Sequence, residues 1–132
     1  MNGEPFMLDT NIIIGFFKND HSIVEKLKAS EWKNIFVPGI VLGELFYGAE
    51  QSSKRTENIK RIENFIDTCQ IMECNADTAR VYGRVKNILK LGGTPIPEND
   101  IWIAALSEQY RTTLVTRDNH FDAIPGLLKE TW

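Results

Sequence analysis

The sequence predicts an α/β fold on a central, mainly parallel sheet. Three observations lead there. The segments that read as strands are short unbroken apolar runs, they alternate with longer stretches of helical periodicity, and Gly, Pro, Asn and Asp punctuate the joins. A half-exposed antiparallel sheet would alternate apolar with polar residues instead.

The elements follow in order. Phe6-Met7-Leu8 is a first strand, and Asp9-Thr10-Asn11 supplies capping side chains before a helix opening with Ile12-Ile13-Ile14. Ser22 and Glu25 stand at capping-box spacing, which predicts a short helix from about Ser22 to Ala29. Ile35-Phe36-Val37 is a second strand, closed by Pro38-Gly39. Ile40, Leu42, Leu45, Phe46 and Ala49 then recur with helical spacing around Glu44. After a polar stretch, Ile59, Ile62, Phe65 and Ile66 mark a helix from about Thr56 to Asp67, and Ile71-Met72 a brief strand. Asn75 is placed to cap a long helix carrying Ala79, Tyr82, Val85, Ile88 and Leu89, which Gly92-Gly93 ends. Thr94-Pro95-Ile96-Pro97 is a stiff loop, and Asn99 is expected to cap a helix bearing Ile101, Ala104, Ala105 and Leu106. Thr113 to Thr116 is the clearest strand, and Leu127-Leu128-Lys129 a last short one.

A chain of 132 residues has the size of one domain, here residues 1–132, and 42% hydrophobic with 25% charged residues is ordinary globular composition. No apolar run reaches the roughly 20 residues that span a bilayer. Met1 to Pro5 lacks the basic start and apolar core of a signal peptide, so the expectation is a soluble cytoplasmic protein without a membrane partner. Cys69 and Cys74 allow no disulfide framework, and His21 and His120 lack zinc spacing. No Gly-rich phosphate loop and no Ser-His-Asp or Cys-His pattern is present.

What remains is acids. In open parallel sheets ligands collect beyond the carboxyl ends of the strands, and Asp9, Asp100 and Asp118 fall just after predicted strands or at helix starts. Glu44 sits early in its helix between Val41, Leu42, Leu45 and Phe46, where an unpaired acid is costly. Asp122 follows Asp118 by four positions. Singly, each acid has an ordinary reading as a cap or turn residue. Clustered, they repel: two carboxylates about 4 Å apart oppose each other by roughly 4 kcal/mol at an effective dielectric near 20. A hard divalent ion such as Mg²⁺ or Mn²⁺ removes that penalty and serves phosphodiester hydrolysis.

Four strings in order, Leu8-Asp9-Thr10-Asn11, Gly43-Glu44-Leu45, Asn99-Asp100 leading to Ile103-Ala104-Ala105, and Leu114-Val115-Thr116 with Asp118 and Phe121, resemble the PIN domain. Length and motifs resemble its VapC-type toxins, from Phe6 to about Leu128. The resemblance implies a three-layer α/β/α fold and a Mg²⁺-dependent endoribonuclease toxin (Mn²⁺ being the alternative ion). Asp9, Glu44, Asp100 and Asp118 would be the catalytic quartet, with Asp9, Asp100 and Asp118 as metal ligands. Thr10, Asn11 and Thr116 would support it, with Asp122 an additional acid. The implied partners are an RNA substrate, a cognate VapB-type antitoxin and a second copy in a homodimer. The apolar faces of the Ile40–Ala49 and Thr56–Asp67 helices are the expected contact surfaces.

Setting aside the five acids moves the net charge from −3 to +2, which eases the conflict with nucleic-acid binding. Lys54-Arg55, Lys60-Arg61, Arg80, Arg84, Lys86 and Lys90 are candidate phosphate contacts. Two rivals stand: a catalytically inactive PIN-like binding module, and an aspartyl phosphoryl-transfer enzyme. The second usually carries another Asp two residues after the nucleophile, where this chain has Asn11.

Overall fold

The computed structural model describes residues 3–132. Met1 and Asn2, part of the stretch read above as lacking a signal segment, lie outside the described residues. The elements are β1 (Phe6–Leu8), α1 (Thr10–Phe17), α2 (His21–Lys28), β2 (Ile35–Pro38), α3 (Gly39–Glu50), α4 (Arg55–Ile66), β3 (Gln70–Met72), α5 (Ala76–Leu91), α6 (Glu98–Gln109), β4 (Thr113–Val115) and β5 (Lys129–Glu130). Short 3₁₀ turns cover Trp32–Asn34 and Asn119–Ala123. All strand pairs are parallel, in the order β3-β2-β1-β4-β5.

Helices flank this sheet in a three-layer α/β/α arrangement. Right-handed crossovers from β1 through β2 to β3 put α1–α4 on one face, and the return from β3 to β4 puts α5 and α6 on the other. The helix contacts divide accordingly, α1 with α2 and α3, α3 with α4, and α5 with α6. Contacts between α3 and α6 add to these, both helices starting on the carboxyl side of the sheet.

Local chemistry explains the boundaries, including three that differ from the sequence reading. The second helix starts at His21, because the Asp20 carboxylate accepts from Ile23 N at 3.3 Å and takes the cap that Ser22 was expected to provide. The sixth starts at Glu98 behind an extended Pro97, whose fixed backbone ends the loop before Asn99 can act as cap. The last strand is Lys129–Glu130 rather than 127–129. A left-handed Gly126 turns the chain just before it, and a charged strand suits a sheet edge. By contrast, α5 forms as expected: Asn75 accepts from Asp77 N and Thr78 N, and the Thr78 hydroxyl accepts from Asn75 N. Gly93, at φ +67°, ends α5, with Gly93 N donating to Lys90 O and Thr94 N to Leu89 O.

The core is the sheet and the helix faces against it. Met7, Leu8, Ile35, Val37, Leu114 and Val115 are fully buried, as are Ile12, Ile13, Ile103 and Leu106. Phe65 packs edge-on against Phe17 and Trp32 and lies tilted against Phe16, and Ile62 is buried nearby. These two α4 residues are therefore core, and the surface they were expected to offer a partner is smaller than the periodicity implied. Cys69 is buried and Cys74 exposed, both as free thiols.

Strand order decides where a site belongs. From β1 the chain moves to one side through β2 and β3, then returns to the other side of β1 as β4. Beyond the carboxyl ends of β1 and β4 the sheet opens a crevice, the switch point at which parallel α/β proteins bind ligands.

Candidate active site

Asp9 follows β1 directly and Thr116 follows β4, so the parallel register that sets Leu8 beside Val115 delivers both to that crevice. Asp118 arrives two residues later as the cap of the Asn119–Ala123 turn. The first turn of α6 brings Asp100, and the second turn of α3 brings Glu44.

One hydrogen-bonded string joins all four acids. Glu44 Oε1 accepts from the Thr10 hydroxyl at 2.9 Å, and Thr10 N donates to Asp9 Oδ1 at 2.8 Å. The other Asp9 oxygen accepts from the buried Thr116 hydroxyl at 2.7 Å, and that hydroxyl accepts from Asp118 N at 2.9 Å. Asp118 Oδ1 accepts from His120 N at 2.9 Å, and the His120 ring nitrogen Nδ1 lies 3.1 Å from Asp100 Oδ2. Asn11 ties the two loops together, its Nδ2 reaching Asp9 Oδ2 at 3.5 Å and its Oδ1 accepting from Arg117 N at 3.2 Å. Arg117 turns outward, donating to the Trp132 carbonyl at 2.7 Å and to Asp20 Oδ2 at 2.8 Å.

The electrostatics are those of concentrated negative charge. Burial pushes the Asp9 carboxyl above its ordinary range, and Asp118 pushes it the same way, against the hydrogen bonds from Thr116 and Thr10. Burial also raises Glu44, with the Asp9 charge adding to it and the Thr10 bond opposing. Asp100 is raised first by burial and further by Asp118 and Asp9, while His120 counteracts. Among the described residues no Lys or Arg forms an ion pair with any of the four acids. Oxygen donors held together at an energetic cost, with no fixed cation beside them, fit a divalent ion.

The sequence matches the PIN domain family over residues 6–127. The chain is a PIN-domain protein of the VapC family. It is 33% identical over 130 residues to "Ribonuclease VapC2" of Rickettsia felis, spanning 96% of this chain and 97% of that protein. It is 30% identical over 128 residues to "tRNA(fMet)-specific endonuclease VapC" of Salmonella typhimurium, again spanning 96% and 97%. Among solved structures, a DNA-bound VapBC complex from Salmonella typhimurium superposes with a TM-score of 0.91 at 31% identity, covering 98% of this chain and 99% of that one. VapBC2 from Rickettsia felis bound to a promoter DNA fragment gives 0.87 at 31% identity, covering 96% and 98%.

In this VapC-family chain the sequence reading missed His120. Its spacing from His21 excluded zinc, but its place two residues after Asp118 was the signal that it shares the cluster. Asp122 is placed elsewhere: its exposed carboxylate pairs with Lys129. Trp102, two residues after Asp100, stacks on Tyr82 with ring centroids 3.9 Å apart. Arg55, Arg80, Arg84 and Lys86 pair with surface acids, so fewer cations are free for phosphate than the sequence implied.

Proposed function

We propose that this chain, as one PIN domain over residues 1–132, is a divalent-metal-dependent endoribonuclease toxin acting in the cytoplasm as a homodimer. The continuous string Glu44–Thr10–Asp9–Thr116–Asp118–His120–Asp100 carries the reading, because it holds four mutually repelling acids in one crevice. Asp9, Asp100 and Asp118 would hold the ion, Mg²⁺ or Mn²⁺. When bound, such an ion offsets the carboxylate charge and the charge that builds on phosphate during hydrolysis. Thr116 and Asn11 hold the Asp9 carboxylate in place, so that it does not rotate away from the neighbouring acids that repel it. Glu44, with its raised pKa and its second oxygen unengaged by Thr10, serves as the general base that takes a proton from water attacking phosphorus in line. The phosphorus–oxygen bond to the departing ribose breaks as the new one forms, and the ribose oxygen that leaves takes a proton from solvent water.

Neutralisation by an antitoxin belongs to the same reading, supported by the VapBC complexes that the fold superposes on. A groove of about 350 Å³ runs between α1, α3 and α4, lined by Ile14, Phe17, Leu45 and Arg61, with Glu44 in its wall. A partner segment seated there would reach the acidic crevice.

The experiment is induction of the wild-type chain beside an Asp100→Asn variant, with 5′ ends of total RNA mapped. Arrest with discrete new ends in wild type alone is the expected result, the variant losing at least roughly 100-fold in cleavage. Equal ends in both strains at equal soluble expression would defeat the assignment of the site. Intact RNA in both would favour a binding module.

A further inference from the structure

His120 stands in the acidic string without having been assigned any part in it. Its Nδ1 lies 3.1 Å from Asp100 Oδ2 and 3.0 Å from Asp118 Oδ1, and each of the three residues offers a donor atom within 4.8 Å of one from each of the others. Neighbouring ligands in an octahedron of about 2.1 Å bonds stand about 3.0 Å apart. Both nitrogen–oxygen separations therefore have the span of adjacent ligands around one ion. A single proton on Nδ1 points well at only one of the two carboxylates, whereas a cation between the three atoms engages all of them.

The backbone keeps the ring there. Asp118 Oδ1 accepts from His120 N, which closes the 3₁₀ turn, and the next side chain, Phe121, is fully buried. With Phe121 fixed in the core, His120 is held on the crevice side, half exposed and next to Asp100 and Asp118.

We infer that His120 Nδ1 is a protein ligand of the divalent ion held by Asp100 and Asp118, giving the site a nitrogen donor that favours Mn²⁺ over Mg²⁺. The inference rests on the proposal that these carboxylates bind an ion at all. Mg²⁺ is bound by oxygen and sheds its water reluctantly, so imidazole adds little to its affinity. Mn²⁺ also prefers oxygen, but as a transition ion it takes an imidazole nitrogen into a mixed nitrogen–oxygen set more readily than Mg²⁺ does, and the later divalent metals do so more strongly still.

Pulsed electron paramagnetic resonance on the full chain with one equivalent of Mn²⁺ tests this. Wild type and the control His21→Ala should show modulation from a coordinated imidazole nitrogen, and His120→Ala should lose it. Mn²⁺ affinity should fall by about tenfold or more in His120→Ala, while Mg²⁺ affinity, measured by displacement of Mn²⁺, moves by less than about threefold. Because His120 is half exposed, the variant keeps its fold. Tightly bound Mn²⁺ with no nitrogen modulation in wild type would overturn the inference and leave the carboxylate site standing. So would modulation that survives in His120→Ala. Failure of wild type to bind Mn²⁺, or binding unchanged in Asp100→Asn and in Asp118→Asn, would remove the site itself and the inference with it.

Discussion

Thr116 shows how much of the site is carried by a residue with no charge. Its hydroxyl is buried, donates to Asp9 Oδ2 and accepts from Asp118 N, so one oxygen sets the relation between two acids on different loops. Replacing it with valine keeps the branched shape and removes both bonds. Thr116→Val should cost about 1–3 kcal/mol, because Asp9 and Asp118 N each lose a partner in a buried setting. Cleavage should fall by roughly 10–100-fold, the usual effect of removing a group that orients a metal-binding carboxylate. Chemical denaturation and a single-turnover RNA assay measure the two effects. A variant destabilised to that extent yet fully active would mean that the Asp9 rotamer is fixed by something else. Asn11 offers a weaker parallel, since its contact with Asp9 is 3.5 Å long.

Helix starts are the elements that carry the site, and they were unequally legible in the sequence. Asn75 shows the legible kind: its carbonyl oxygen accepts from Asp77 N, Thr78 N and Gln109 Nε2, so the cap also pins α5 to the end of α6. Asn75→Ala should lower stability by about 1 kcal/mol without touching cleavage, as denaturation and RNA assays would show. An equal loss of activity would mean that α5 is coupled to the crevice more tightly than its position implies. The sheet, the helix order and the four acids could be read from apolar runs and punctuation because each depends on nearby residues. The caps at Asp20 and Pro97 could not. Several capping residues lie close together there, and tertiary packing chooses among them. His120 was hidden for a related reason: its partner Asp100 is 20 positions away, and only the meeting of α6 with the turn after β4 brings them together. Ile62 and Phe65 were read as apolar correctly, but a sequence does not say whether an apolar face meets the core or a partner.

At the scale of the whole molecule, the acidic crevice makes stability depend on pH and on cations in opposite ways. Asp9, Glu44 and Asp100 have folded pKa values above their ordinary 3.8 and 4.5, with burial the leading cause in each. A group raised in this way keeps in the fold a proton that the open chain has released, so the fold loses stability as pH climbs through that interval. Asp20, Glu50 and Glu98 act with the opposite sign. Hydrogen bonds from Arg117, Arg55 and Lys86 hold them below their ordinary values, so their contribution is present above the ordinary carboxylate range and disappears in strong acid. The metal-free chain should therefore melt highest at mildly acidic pH and lower at neutral pH. A divalent ion held as proposed should reverse the second trend, because it would bind the ionised carboxylates and not the protonated ones. At a hundred times its dissociation constant, the ion should add about 2.7 kcal/mol near neutrality, read as a rise of several degrees in Tm. That gain should shrink to nothing once the three raised carboxyls are protonated. Calorimetric scans from acid to neutral pH, with and without Mg²⁺ or Mn²⁺, give both curves. A cation effect of equal size at every pH would mean that the ion binds away from Asp9, Glu44 and Asp100.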